Sequence, residues 1–198
     1  MDLQRTRAMW DREAAVFDQE PDHGLRDPAT RAAWRELLLP HLPAAPARVA
    51  DLGCGTGTLS VLLAEAGHTV DGVDLSGEMV DAARRKAATA DVPVTFREGD
   101  ASDPELERAA YDVVLSRHVL WALPDPSASL ARWVRLLRPG GRLVLVEGSW
   151  STGAGLTAEQ TERLVREHRS DATVQRLTDP VLWGRQIEDE RYLLVSLV

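Results

Sequence analysis

The 198-residue chain has a single cysteine, Cys54, so it can form no internal disulfide and cannot assemble a thiolate-rich metal site. That scarcity fits a reducing compartment. Long apolar runs are missing as well: stretches such as Leu143 to Val146 span a handful of residues, against the roughly 20 needed to cross a bilayer. The N-terminal segment MDLQRTRAMWDRE mixes both charge signs and lacks the apolar middle and small-residue cleavage site of a secretory signal, so a cytoplasmic location is expected. Positive charge is in deficit, and a formal net charge of −8 leaves little background attraction for a polyphosphate. No repeat or low-complexity segment occurs. These absences favour a small-molecule partner over nucleic acid or a membrane, for a chain working as a monomer or homodimer.

What is present is an alternation. The first 45 or so residues read as helices, with Asp27 and Pro28 placed as N-cap and first-turn proline ahead of ATRAAWRELLLPHL, and Pro40, Pro43 and Pro46 stopping the helix. From Arg48 onward short apolar runs alternate with helical patterns, as in a parallel sheet covered on both faces. The strand candidates are RVADL, HTVDGVDL, VTFREGD, YDVVLSR and RLVLVEG, followed by ATVQRL and RYLLVSLV after the alternation breaks down. Helices are predicted over Leu59 to Ala66, Gly77 to Ala88, Pro104 to Ala109 and Pro126 to Leu137. The last has Asp125 as cap, Pro126 in its first turn, and Leu130, Trp133, Val134 and Leu137 on one face, before a Pro139-Gly140-Gly141 turn. A further helix is expected from Leu156, with Thr157 and Gln160 at capping-box spacing.

In open α/β sheets ligands sit beyond the carboxyl ends of the strands, so the residues just after the early strands carry the chemistry. In DLGCGTG the glycines Gly53, Gly55 and Gly57 follow a strand and precede a helix, which permits a tight turn and close approach of a ligand to the main chain. The dinucleotide pattern GxGxxG fails, since Thr58 stands at the third site, and a Walker loop would need a lysine that this segment lacks. Alone, the turn could be a plain strand-to-helix connection. Asp74 ends the next strand about twenty residues on, where a carboxylate can accept from both hydroxyls of a ribose. Asp100 ends the one after, within reach of an adenine amino group, though a simple turn role would also suit it. Three such strand ends in succession outline a nucleoside without phosphate. Asp51 either approaches the ligand's amino group or holds the loop.

At this point four blocks, VADLGCGTG, GVDLSGEMV, FREGDASD with YDVVLSRHVLWAL, and LLRPGGRLVLVEG, resemble the class I S-adenosylmethionine-dependent methyltransferases, in the broad branch that includes the ubiquinone and menaquinone biosynthesis enzymes. The resemblance implies a Rossmann-like doubly wound α/β fold with a seven-stranded sheet in the order 3-2-1-4-5-7-6, its last strand antiparallel. It implies one domain over 1–198, with an N-terminal helical lid at 1–45, a cofactor-binding core at 46–148, and a C-terminal helix with two strands at 149–198. The implied cofactor is S-adenosylmethionine. Gly53, Cys54, Gly55 and Gly57 would pass under its methionine part, and Asp74 would bind ribose with Leu75 and Met79 nearby. Asp100 and Ala101 would flank adenine. Ser116 and Arg117 would face the methionyl end, and Phe17, within WDREAAVFD, would act in the lid. No NPPY-type tetrapeptide follows the fourth strand, and no metal set of the catechol type is recognisable.

Methyl transfer from a sulfonium is an in-line displacement, so alignment matters more than acid–base chemistry. For a hydroxyl acceptor His118 is the leading base candidate and His23, in EPDHGL, the second, against the more common case of a structural or merely polar histidine in such loops. Trp10, Trp121 and Trp150 fall near the expected crevice and would suit a flat or cationic acceptor, though for each one alone filling the core or the join between the N-terminal helices and the sheet is the commoner role, while Trp34 and Trp133 read as core. Arg84, Arg85 and Lys86 read as solvated helix surface. Two alternatives remain at this level: different chemistry with the same cofactor, or a non-catalytic protein that keeps the cofactor as ligand.

Overall fold

The computed structural model describes residues 3–197; Val198, the last residue of the RYLLVSLV candidate, and Met1 and Asp2 of the N-terminal segment lie outside the described residues. Three helices open the chain: α1 (Leu3–Phe17), α2 (Pro21–Gly24) and α3 (Pro28–Leu38). The alternating part then runs β1 (Arg48–Leu52), α4 (Thr58–Glu65), β2 (Thr69–Asp74), α5 (Gly77–Thr89), β3 (Val94–Glu98), β4 (Tyr111–Arg117), α6 (Pro126–Val134) and β5 (Leu137–Ser149). It closes with α7 (Ala158–Arg166), β6 (Thr173–Arg176) and β7 (Glu190–Ser196).

The seven strands form one sheet in the order β3-β2-β1-β4-β5-β7-β6, with β7 antiparallel to both of its neighbours. This is the Rossmann-like order that the resemblance implied. Alternation along each strand feeds two cores. Val113, Leu115, Val144, Val146, Leu193 and Val195 point to the face covered by Trp34 and Leu38 of α3 and Leu62 and Leu63 of α4. Their neighbours Val114, Leu143, Leu145 and Leu194 point to the other face, against Leu130 and Trp133 of α6 and Val165 of α7. Trp34 and Trp133 are fully buried, as their helical spacing with leucines predicts.

The caps stand where the sequence puts them. Asp27 Oδ1 accepts from the Thr30 amide at 2.8 Å, Asp125 Oδ1 from the Ala128 amide at 2.9 Å, and Thr157 and Gln160 form a reciprocal capping box. Three local expectations need correction. Residues 104–109 are not helical: the segment crosses to β4 as coil and turn, although Asp103 and Pro104 repeat the Asp-Pro pair that opens α3 and α6. Helix α6 stops at Val134, and Leu137 already pairs with Tyr111 as the start of β5, so the Pro139-Gly140-Gly141 turn bulges out of the strand before Arg142 meets Val113. Lys86 is no free surface residue: its Nζ meets Asp18 at 2.9 Å and also bonds Thr56 and Thr58.

Candidate active site

Strand β1 lies between β2 and β4, so the order reverses there and a crevice opens at the strand ends. The crevice is a cavity of about 410 Å³. Its floor is the turn after β1, with Asp51, Gly53, Cys54 and Gly55 exposed to it. One flank carries Asp74, Leu75, Met79, Asp100 and Ala101 from the ends of β2 and β3. The other end carries Arg117, His118, Trp121 and Trp150, with Trp183 and Arg191 behind them.

The turn is tight for an identifiable reason. Gly53 has φ +71°, and a Cβ there would lie 2.3 Å from Val119 Cγ2. The amides of Gly53 and Cys54 donate to the Val73 carbonyl at 2.8 and 3.0 Å, and the Gly55 amide donates to Asp74 Oδ2 at 2.8 Å. The turn's N–H groups are therefore consumed by β2 and its carboxylate, which leaves none of these three for an anion. Phosphate cradling, which the glycine spacing already disfavoured, has no donors to work with here.

Asp74 is buried, and each of its oxygens holds one backbone amide, Oδ1 accepting from Ser76 at 2.9 Å. A carboxylate oxygen has two lone pairs, so each keeps one for the cavity. Burial raises its pKa, against the stabilising amides of Ser76 and Gly55. Asp51 faces the cavity, and its Oδ2 accepts from Ser60 Oγ at 2.6 Å, which ties it to α4. Burial pushes its carboxyl up to about 6. Asp100 Oδ1 accepts from the Ser102 amide at 2.8 Å, an Asx turn that aims its other oxygen freely, and the Ala101 carbonyl is pinned by Trp133 Nε1 at 2.7 Å. Burial raises the Cys54 thiol as well, so its sulfur is an inert part of the floor.

Two expected contacts stand behind the wall rather than in it. Ser116 is fully buried with Oγ donating to the Leu52 carbonyl at 2.8 Å, because alternation along β4 sends it away from Arg117 and the cavity. Gly57 starts α4 with φ +72°, where a Cβ would lie 2.7 Å from both Ala83 and Phe96. It shapes the turn without lining the cavity.

The roof comes from the N-terminal helices. Leu3, Thr6, Trp10 and Phe17 fall on one face of α1 and line the cavity, and Phe17 Cε1 would stand 3.1 Å from a Cβ on Gly55. Phe17 also stacks on His23 at 4.2 Å between ring centroids. His118 packs edge-on to Trp150 at 5.2 Å and stacks on Trp183 at 6.1 Å. Its φ is +59°, an uncommon conformation for a residue with a side chain. Glu147 of β5 holds the turn that follows it, Oε1 accepting from the amides of Val119 at 3.0 Å and Leu120 at 2.8 Å. Burial and the neighbouring Arg117 lower the pKa of both His23 and His118, so each imidazole is neutral near pH 7. The guanidinium of Arg117 donates to the Asp22 carbonyl and lies over the Trp34 ring at 5.1 Å.

Nothing in the sequence marks Glu147, Trp183 or Arg191, which reach the site from β5 and the C-terminal segment. Asp22 had one signal, its adjacency to His23. Trp10, Trp121 and Trp150 all line the cavity, as their placement near the crevice predicts.

Residues 50–145 match the family described as methyltransferase domain. A ubiquinone biosynthesis O-methyltransferase of Xanthomonas axonopodis pv. citri is 36% identical over 137 residues, 69% of this chain and 54% of that protein. Over that stretch the chain is similar to the methyltransferase domain family. It spans about half the length of the curated relatives it matches. Among solved structures, a geranyl diphosphate C-methyltransferase from Streptomyces coelicolor A3(2), in complex with Mg2+, geranyl diphosphate and S-adenosyl-L-homocysteine, aligns with TM-score 0.71 at 20% identity, covering 84% of this chain and 79% of that one. The [4+2]-cyclase SpnF aligns with TM-score 0.72 at 19% identity, covering 83% and 79%. These likenesses share the fold of the methyltransferase domain described above. Among the described residues no helix is long and apolar enough to cross a membrane.

Proposed function

We propose that the chain is an S-adenosylmethionine-dependent methyltransferase for a small, flat acceptor. The observation that carries this reading is the convergence of three strand ends on one cavity: the glycine turn after β1 as floor, Asp74 after β2 and Asp100 after β3 as acceptors. The residues suit that donor and not a nucleotide, because both carboxylates keep free lone pairs while the amides of Gly53, Cys54 and Gly55 are already spent. When bound, S-adenosylmethionine supplies an activated methyl group on a sulfonium, displaced in line by the acceptor.

The chain's own residues do the rest. Asp74 accepts from the ribose hydroxyls, Leu75 and Met79 give apolar packing, and Asp100 with Ala101 flanks the adenine. Asp51 and Arg117 take the charged amino-acid end with complementary signs. Residues 1–45 act as a lid in which Phe17 covers the glycine floor, 46–148 hold the donor, and 149–198 close the acceptor end as part of one domain. The aromatic wall of Trp121, Trp150 and Trp183 favours a planar acceptor and excludes water from the displacement. His118 and His23 stand at that end, where they make an acceptor hydroxyl nucleophilic. A single cysteine and the absence of a long apolar helix among the described residues agree with work in the cytoplasm.

Calorimetry with S-adenosylmethionine and S-adenosylhomocysteine tests the donor, and transfer of a labelled methyl group to a metabolite extract tests the reaction. Saturable binding of both and one labelled product are expected. No heat with either ligand would remove the donor assignment; binding without any labelled product would remove the transferase assignment.

A further inference from the structure

Asp22 and His23 of the short helix α2 meet His118 from the turn after β4 at the acceptor end of the cavity. One ligand-capable atom from each of the three lies within 4.8 Å of the others. Asp22 Oδ2 stands 3.6 Å from His23 Nε2. Two ring nitrogens in this group, His23 Nδ1 and His118 Nε2, are buried and have no hydrogen-bond partner. Buried polar atoms are ordinarily paired, so an unpaired ring nitrogen on each histidine of this three-residue cluster marks it as a place that a ligand would satisfy.

The cluster has the chemistry of a metal site. Each imidazole offers a ring nitrogen whose lone pair a metal can take. Both rings are fixed in orientation, one by Phe17 and the other by Trp150 and Trp183. Asp22 supplies the anionic ligand. Two imidazoles and one carboxylate leave several coordination positions open, and all three residues line the cavity. Arg117 and Arg191 are adverse charges, but the Arg117 guanidinium is engaged with the Asp22 carbonyl and the Trp34 face, with Asp18, Asp22 and Asp51 acting on it with opposite charge, and Arg191 pairs with Asp189 at 3.2 Å. Metal–nitrogen and metal–oxygen bonds are about 2.0–2.2 Å, so ligand atoms at 4.8 Å draw together by about 1–2 Å on binding, within the reach of side-chain rotation.

We infer that Asp22, His23 and His118 form a site for a divalent transition-metal ion whose open positions face the methyl acceptor. The nitrogen-rich ligand set selects ions such as Zn2+ or Co2+ over Mg2+. The role of the ion rests on the methyl-transfer reading; the site itself does not. A hydroxyl of the acceptor coordinated to the ion becomes more acidic and gives its proton to solvent. Its oxygen then forms the O–CH3 bond as the S–CH3 bond breaks, and the electron pair of that bond stays on sulfur. The two histidines thus act on the acceptor as ligands, and the acceptor is an oxygen nucleophile.

The test is titration of the metal-stripped full chain with Co2+ alone, read by its visible absorption and by calorimetry, with S-adenosylmethionine binding measured separately on the same preparation. One equivalent of Co2+ is expected to bind, and His23→Gln, His118→Gln and Asp22→Asn are each expected to weaken it by at least about tenfold. Thermal unfolding and far-ultraviolet circular dichroism show which variants are folded, and the comparison is made on those. No saturable Co2+ binding, or equal affinity in the folded variants, overturns the site. Co2+ binding that is lost in the variants while the donor fails to bind upholds the site and defeats the methyl-transfer reading; donor binding without Co2+ binding overturns the site and leaves the donor assignment standing.

Discussion

At the residue scale the site is organised by carboxylates that serve two partners at once. Asp74 ties the Gly55 and Ser76 amides together and still presents lone pairs to the cavity. Replacing it by alanine removes both functions, so Asp74→Ala is expected to lower S-adenosylmethionine affinity by about 10- to 100-fold, or about 1–3 kcal/mol. Calorimetry on the folded variant decides this, and an unchanged Kd would remove Asp74 from the donor site. The place of Asp74 on the cavity wall was legible because a strand end following a glycine turn constrains position strongly. Ser116 was not, since a strand's alternation decides which of two adjacent residues faces the ligand, and the phase of β4 follows from its pairing with β1 and β5. Lys86 misled for a similar reason: it sits in a run of basic residues on α5, but Asp18, from the segment after α1, reaches across to it.

At the element scale, two parts behave differently from the sheet. Helix α1 has no buried residue and is held by polar ties, Ser76 Oγ donating to Asp11 at 2.6 Å and Lys86 pairing with Asp18. Its Leu3, Trp10 and Phe17 face the cavity, so a bound donor completes the packing that α1 lacks. Limited proteolysis of α1 is expected to slow by about tenfold on saturation with S-adenosylmethionine, and Asp11→Ala is expected to speed it in the free protein. Equal cleavage with and without donor would show that α1 is no lid.

The second element is the turn after β4, which Glu147 of β5 holds from below. Burial pushes the Glu147 carboxyl up to about 8, from an ordinary 4.5. The folded chain thus keeps a proton that the unfolded chain releases, so this group's contribution to stability is full below pH 4.5 and declines as pH rises to about 8. The slope from one such group is at most about 1.4 kcal/mol per pH unit, and Asp51, raised to about 6, adds to it in the acidic part of the window. Urea unfolding of Glu147→Gln across pH 5 to 8 is expected to show a flatter profile than the parent. Parallel profiles would mean that Glu147 ionises in the folded state much as it does in the unfolded one.

At the scale of the whole molecule, the proposed donor site is assembled from the ends of β1, β2 and β3, and roofed by helices of the N-terminal segment. Ligand that binds only this assembled state stabilises all of it. At about 100 times its Kd the donor adds about 2.7 kcal/mol, which for a chain of this size raises Tm by about 5–10 °C. Differential scanning calorimetry with and without S-adenosylmethionine measures this, and an unmoved Tm at saturation would contradict a site shared among these elements.

The sequence by itself determined the strand count, the caps, the glycine turn and the carboxylates at the strand ends, because each depends on local conformation or on a spacing of a few residues. It also carried the core tryptophans, whose helical spacing with leucines needs no distant partner. Only the tertiary structure decided how the amides of Gly53, Cys54 and Gly55 are spent, since their acceptors lie on β2. It alone brought His23 and His118 together from 95 positions apart, with Asp22 beside them. It alone set Glu147, Trp183 and Arg191 around the acceptor end. Those contacts join segments far apart in the chain, and no local periodicity records which distant side chains a folded sheet will bring to the same edge.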